Sequence, residues 1–520
     1  MKREHLVTLL CLSICTLFTA GVWYLYYQRY FNGLILNDAM DYAGIARNVA
    51  LGHGFISQYI TPLGLAHHGV PQPDMWRAPL WPLALAGFQK AFGFIDEASA
   101  LGAGFFFIAA SPVIFLLARQ WFGTLVAAGS VIIYTLTPKL LYYSISGMTE
   151  SMSIFFMALA VLLVSVKSLK NSYGDWLSGI GLGLFYLARY NALVFIPFFL
   201  LFRWFCRREG ILPPARLLAG FLLTALPWLI RNTVIFGSPL FSLQKYEPVM
   251  FTPAYPDYSL YLFTTKVNVM EFFKNHPGEI IEKVTSNWAD YTSFFFSPDL
   301  NGVSAAVLIT FLAAVILPLT KKAAGIRPLI ALCYVTQLAA LLVIHFIPRL
   351  FLIFSPFYII FALGAIYTLT GMLFTRFRRL KAVPGLVTAA AILLLSFNNY
   401  TSPGPPEKYT PERSTYSDIL NEISARVPES QVVLTDMGHH VSWYGDRYAC
   451  KIPYSVDMIP EIQKRADVGA LFISDRILWH MPEADRNWKE FWYRKPKEIN
   501  GMRLYKVYEK GLLYLPVKAQ

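Results

Sequence analysis

Charge is what this 520-residue chain has least of: 15% of its residues are Asp, Glu, Lys or Arg, against 55% hydrophobic and 16% aromatic, with a mean hydropathy of +0.45. That balance excludes an ordinary soluble domain and a disordered chain, and it points to an integral membrane protein. Cysteine is also scarce, with five in all. Cys11, Cys15 and Cys333 fall in apolar runs, Cys206 in a basic turn and only Cys450 in a polar stretch, so no disulfide framework is expected. No internal repeat is visible, nor the inverted-repeat hydropathy of many transporters. His53, His67 and His68 with Asp74 match no metal-ligand spacing, and His439 and His440 read as ordinary histidines.

What charge there is carries a net +13, and its sorting argues against nucleic acid as the partner. Lys2 and Arg3, Lys167 and Lys170, Arg203 to Arg216, Lys321 to Arg327, and Arg376 to Lys381 mark alternate loops, as short cytoplasmic loops do. The N-terminus is then inside. The first apolar run lacks an A-x-A-like cleavage site and continues into Tyr24, Tyr26 and Tyr27, so it reads as a retained helix. Spans follow near 5–28, 97–118, 124–144, 151–168, 176–188, 190–205, 214–231, 304–320, 327–347, 350–372 and 383–398. About eleven membrane helices result, ending outside. The stretch Pro79–Phe94, broken by prolines, Gly87 and Lys90, reads as a re-entrant or surface helix.

The expected fold is therefore an α-helical polytopic membrane domain, 1–398, with outer loops 28–95 and 232–303, followed by a small α/β domain, 399–520. A Pro- and Gly-rich linker, 401–412, precedes a helical period from Ser414 to Val427. Strand-like runs follow at Val432–Thr435, Ala470–Ser474 and Met502–Tyr508.

The most informative segment is LILNDAMDYAGIARNVALGHGF, Leu34–Phe55, which sets Asp38 and Asp41 just beyond the first span and on one face of a helix. A carboxylate close to the bilayer is costly unless it has a partner or a task. Asp41 can pair with Arg47 or serve as a second functional carboxylate. Arg77, Arg189, Arg231 and Arg349 sit at outer ends of apolar segments, where short-loop cations are scarce. Arginine's planar fork suits phosphate oxygens, so a lipid phosphate would account for several at once; snorkelling to headgroups is the plainer alternative. Glu150 also reads as a helix-start residue favoured by the dipole.

The runs Asp38-Ala-Met-Asp-Tyr42, Ala46-Arg-Asn48, Gly52-His-Gly-Phe55 and Trp76-Arg-Ala-Pro-Leu-Trp-Pro82 resemble the first outer loop of the GT-C membrane glycosyltransferases. The nearest branch is that of the protein O-mannosyltransferases, aminoarabinose transferases and bacterial polyprenyl-phosphate-sugar transferases. Thr149-Glu150, Ala188-Arg-Tyr190, Pro227-Trp-Leu-Ile-Arg-Asn232 and Pro348-Arg349 are similar to later landmarks of that branch, in order, over most of residues 1–400. The resemblance implies a polyprenyl-phosphate sugar donor, a glycolipid, polysaccharide or protein acceptor, and Asp38 as general base on the acceptor hydroxyl. It implies Asp41 or Glu150 as second carboxylate, because Ala39 stands where many relatives carry an acidic residue. Arg77, Arg189, Arg231 and Arg349, with His345, would hold the leaving phosphate. The expected reaction is an inverting transfer in one displacement at the outer face of a bacterial cytoplasmic membrane. No cofactor is required, and a divalent metal, known in the wider superfamily, is not indicated.

Two other classes fit the composition. A sugar or lipid transporter would gather charge at mid-membrane, whereas here the span centres are almost uncharged and the carboxylates and arginines collect in outer loops. A sensor merely anchored by its helices leaves the first-loop pattern without a purpose.

Overall fold

The computed structural model describes residues 2–165, 172–207, 210–317, 319–374, 382–401, 412–479 and 486–517. The basic residues Lys167, Lys170, Arg208, Arg376, Arg378, Arg379 and Lys381 lie outside the described residues, as does the linker from 402 to 411.

Over the described residues each of the eleven expected spans falls largely on helix, but not always on one long enough to cross a bilayer. By length and apolarity alone His5–Tyr30, Asp96–Phe122, Leu212–Phe236, Lys321–Val343 and Pro348–Phe374 suffice. A sixth forms if Thr124–Thr135 and Pro138–Ile145 count together. Those two meet at 62°. The break has a local cause: Pro138 has no N–H to donate, and Thr137 before it is extended, with ψ 111°. Glu150–Ser165, Tyr190–Phe205, Ala305–Ile316 and Val383–Asn398 are apolar but shorter. The run expected at 304–320 is the clearest shortfall, since a twelve-residue helix rises only about 18 Å. Pro79–Phe94 holds a helix, Leu80–Phe92, whose thirteen residues rise only about 20 Å, too short to cross.

Close approach of helices rests on glycine. A Cβ on Gly179 would lie 2.0 Å from the Leu217 carbonyl oxygen, and one on Gly220 would lie 2.6 Å from that of Trp176. The helices Ser172–Ala188 and Leu212–Phe236 therefore touch backbone to backbone, as small residues allow in membranes.

The tail forms a seven-stranded sheet in the order Tyr59–Ile60, Tyr448–Lys451, Val432–Thr435, Val468–Ser474, Gly511–Pro516, Met502–Tyr508 and Glu498–Ile499. The first four strands run parallel and the rest antiparallel. Every residue of Val468–Ser474 is buried, because both faces are covered. Leu471 and Ile473 pack with Ile459, Ile462 and Trp488, while Ala470 and Phe472 pack with Ile419 and Ile423 of the helix Glu412–Arg426. The three expected strands are present. Tyr448–Lys451, Gly511–Pro516 and Glu498–Ile499 are additions, and Tyr59–Ile60 comes from the first loop, so tail and loop share one sheet.

The helix pair gives a direct test. Gly179→Val should cost about 1–3 kcal/mol or more through overpacking. The check is the fraction of monodisperse protein after mild heating in detergent, which should drop relative to the parent; an unchanged fraction would contradict the close crossing.

Candidate active site

The helix Asn37–Leu51 sits against Leu80–Phe92 through a face of small residues: Ala39, Ala43 and Ala46 are fully buried, and Gln89 donates to the Ala43 carbonyl at 3.0 Å. Gly52, at φ +85°, ends it in the left-handed conformation that glycine accepts most easily. Asp38 lies in its first turn, where the helix dipole favours a carboxylate.

Arg77 joins the two carboxylates. Its Nη2 donates to Asp38 Oδ1 at 2.8 Å and its Nε to Asp41 Oδ2 at 2.6 Å, while Ser57 Oγ donates to Asp41 Oδ1 at 3.0 Å. A turn aims it: Asp74 Oδ1 accepts the backbone N–H groups of Trp76 and Arg77 at 3.1 and 2.7 Å. Tyr42 faces the guanidinium at 4.7 Å, and the Tyr190 hydroxyl caps the Arg77 carbonyl at 2.9 Å. From the far side Arg349, in the 3₁₀ turn Pro348–Phe354, donates to Asp38 Oδ2 at 2.5 Å. Both oxygens of Asp38 are thus held by guanidinium groups. Arg77 is 9% exposed and Arg349 32%, so Arg349 is the rim of the pair.

These neighbours drive the two carboxylates apart. Burial acts to raise Asp38, but Arg77 and Arg349 outweigh it and hold the group well below the usual carboxylate range. Asp41 goes the other way: burial lifts it above its ordinary value, Arg77 opposes, and the Asp38 charge adds to the rise.

Arg349 also approaches Glu150, with Nε 3.9 Å from Oε1. Glu150 begins the helix Glu150–Ser165 and is buried; Arg189 Nη2 reaches its Oε1 at 2.9 Å and Thr149 Oγ1 at 2.5 Å. A continuous chain therefore runs Asp41, Arg77, Asp38, Arg349, Glu150, Arg189. Arg231 stands beside it, donating to the carbonyls of Asp74 at 3.2 Å and Phe55 at 3.4 Å and lying 4.5 Å over the Trp228 ring. His345 belongs to a neighbouring buried group, 2.9 Å from Glu247 Oε2 and 2.7 Å from the Tyr258 hydroxyl. All eight candidate residues thus lie at one end of the helical domain.

The pairing of Asp41 with Arg47 does not occur. Arg47 faces the tail, 2.7 Å from Asp446, because Arg77 already fills the side of the helix that Asp41 presents. Sequence reasoning missed Asp74 as the turn-former, although an Asp that can accept the backbone N–H two residues on is a turn signal. It also passed over Asp96, and over His439, whose ring stacks on Tyr59 at 3.7 Å and interacts electrostatically with Arg77 and Asp38. The loop histidines are engaged otherwise: His67 bonds Tyr246 at 3.0 Å and His53 bonds Asn48 at 3.3 Å. Among the described residues no group of three or more His, Cys, Asp or Glu could hold a metal ion.

Residues 76–230 match the family model of dolichyl-phosphate-mannose-protein mannosyltransferase. Structurally the chain is similar to ArnT from Cupriavidus metallidurans bound to undecaprenyl phosphate, with TM-score 0.59 and 10% identity over 98% of each chain. It is similar also to the oligosaccharyltransferase AglB from Archaeoglobus fulgidus in complex with an inhibitory peptide and a dolichol-phosphate. There the TM-score is 0.56 with 13% identity, covering 91% of this chain and 70% of that one. The chain has the GT-C fold. No curated protein matches it in sequence. The GT-C resemblance read from the first loop thus names the superfamily that the fold and the family match indicate, in a multi-pass membrane protein.

Asp74 gives the site a measurable pH dependence. Burial first, then the Asp41 charge, push its carboxyl from 3.8 up to about 7, against the Arg77 N–H and the charges of Arg77 and Arg231. The folded chain keeps a proton that an unfolded Asp would release. This contribution to stability is full below the unfolded value and is lost as pH rises towards 7. Asp74→Asn keeps the acceptor for the turn, so its melting temperature should fall less than the parent's between about pH 5 and pH 8. Parallel melting curves for the two would contradict the assignment.

Proposed function

We propose that this GT-C protein transfers a sugar from a polyprenyl-phosphate-linked donor to an acceptor hydroxyl, with inversion, at the outer face of the cytoplasmic membrane. The observation that carries the reading is Asp38 held between Arg77 and Arg349. A carboxylate that can take a proton stands beside a rim guanidinium that can take a phosphate, at the end of the helical domain where the tail also docks. The family match and the lipid phosphates named with ArnT and AglB support a donor of this class. The sorting of basic loops supports an inside N-terminus and an outside tail.

The chemistry follows from competition for Arg349. With no donor bound, two guanidiniums make Asp38 a poor base. A donor phosphodiester carries one charge, as a carboxylate does, but its two free oxygens suit both arms of a guanidinium; it draws Arg349 to itself, and Asp38 keeps only Arg77. Its proton affinity rises as the acceptor arrives. The acceptor oxygen then gives its proton to Asp38 and attacks the anomeric carbon opposite the phosphate. The carbon–oxygen bond to phosphate breaks, and the new charge meets Arg349 and Arg189. Asp41 and Glu150 hold Arg77 and Arg189 in place, while Arg231 and His345 flank the phosphate side. No separate acid is needed, because a neutralised phosphate leaves readily.

Purified protein in lipid nanodiscs, offered a panel of labelled polyprenyl-phosphate sugars and mixed acceptors, should release the lipid phosphate. Asp38→Asn should slow turnover roughly 10²- to 10⁴-fold. Full turnover in that variant would remove Asp38 as the base, and sugar-lipid movement across the bilayer without release of phosphate would replace the enzyme by a transporter.

A further inference from the structure

Asp96 opens the long helix Asp96–Phe122 and is only 6% exposed. Its Oδ1 accepts the indole N–H of Trp443 at 2.7 Å. Its Oδ2 accepts the Tyr444 hydroxyl at 2.9 Å and the Leu34 backbone N–H at 3.3 Å. Donors thus converge from two remote segments: the tail, and the short run that leads into Asp38. A carboxylate accepts on both oxygens, which no amide can do. The approach is close enough to need Gly33, at φ +96°, where a Cβ would lie 3.0 Å from Asp96 Oδ2.

A second strap lies alongside. Arg47, on the Asp38 helix, donates to the carbonyls of Ser442 at 2.7 Å and Trp443 at 3.0 Å, and pairs with Asp446 at 2.7 Å. The tail helix Gly438–Trp443 is thereby tied to the helix Asn37–Leu51, and it brings His439 over Tyr59 next to the Asp38 site.

We propose that Asp96 is a positioning residue for the transfer reaction, pinning the tail helix Gly438–Trp443 to the segment that carries Asp38, so that the tail is a fixed wall of the site. The inference rests on the glycosyltransferase reading. Misplacing a reacting group by about 1 Å can cost 10²-fold in rate, so a loosened wall acts on turnover before it acts on donor binding.

The test uses full-length protein. Asp96→Asn preserves shape but turns one acceptor into a donor that confronts the Leu34 N–H. Hydrogen exchange should show residues 33–38 and 438–445 losing protection together. Turnover per folded molecule should fall roughly ten- to hundredfold while the donor KM stays within about twofold. Trp443→Phe, which deletes one N–H, should give a smaller loss in the same direction and serves if Asp96→Asn does not fold. Loosening of one segment without the other, or unchanged turnover in a loosened protein, would overturn the proposal. A parent protein that turns over no donor would sink the glycosyltransferase reading, and joint or separate loosening would still decide whether Asp96 couples the two segments.

Discussion

A carboxylate at the edge of an apolar bundle cannot stay ionised alone, and the guanidinium of Arg77 is what lets Asp38 and Asp41 exist side by side. Desolvating an ion costs several kcal/mol, which only close pairing and further hydrogen bonds offset. Arginine can serve two carboxylates at once because its donors lie in one rigid plane, so lysine would not substitute for it here. The surroundings then serve to keep Arg77 in place: the Asp74 turn fixes its backbone, Tyr190 caps its carbonyl, Tyr42 faces its guanidinium and Ser57 occupies the free oxygen of Asp41. Arg349 completes the arrangement from a rim position, more exposed than Arg77.

That arrangement depends in turn on how the polar parts assemble. Tyr59–Ile60 leaves the first loop to become an edge strand of the tail's sheet, and the tail returns the helix Gly438–Trp443 to the first loop. Loop and tail are thus joined twice, through the sheet and through the contacts of Arg47 with the tail helix. The helical domain contributes rigid supports: backbone contact between Gly179 and Gly220 holds together two helices whose ends carry Arg189 and Arg231.

The parts of the site legible in the sequence were those that broke a rule. Asp38 and Asp41 stood out as acids beside a membrane span, and Arg77, Arg189, Arg231 and Arg349 as cations on the side where sorting makes them scarce. Their pairings were not legible, since Asp38 meets Arg77 across 39 residues and Arg349 across 311. Arg47 misled for the same reason: a local partner was in view, and the true one lies in the tail. Asp96 was hidden because an acid in the first turn of a helix needs no explanation beyond the dipole. In the tail, apolar runs revealed three strands but not Gly511–Pro516, and two residues at Tyr59–Ile60 are too few to show a pattern. The spans were legible as apolar runs, while the proline break at Pro138 and the short helix Ala305–Ile316 depend on local geometry that hydropathy averages away.

Competition between Asp38 and a lipid phosphate for Arg349 is the claim on which the mechanism turns, and binding of plain polyprenyl phosphate tests it without any sugar transfer. If the carboxylate competes, Asp38→Asn should bind the phosphate about tenfold more tightly than the parent, and the gain should vanish when Arg349 is replaced by Met in both backgrounds. Equal affinity of parent and Asp38→Asn, or a gain that survives the loss of Arg349, would contradict the account.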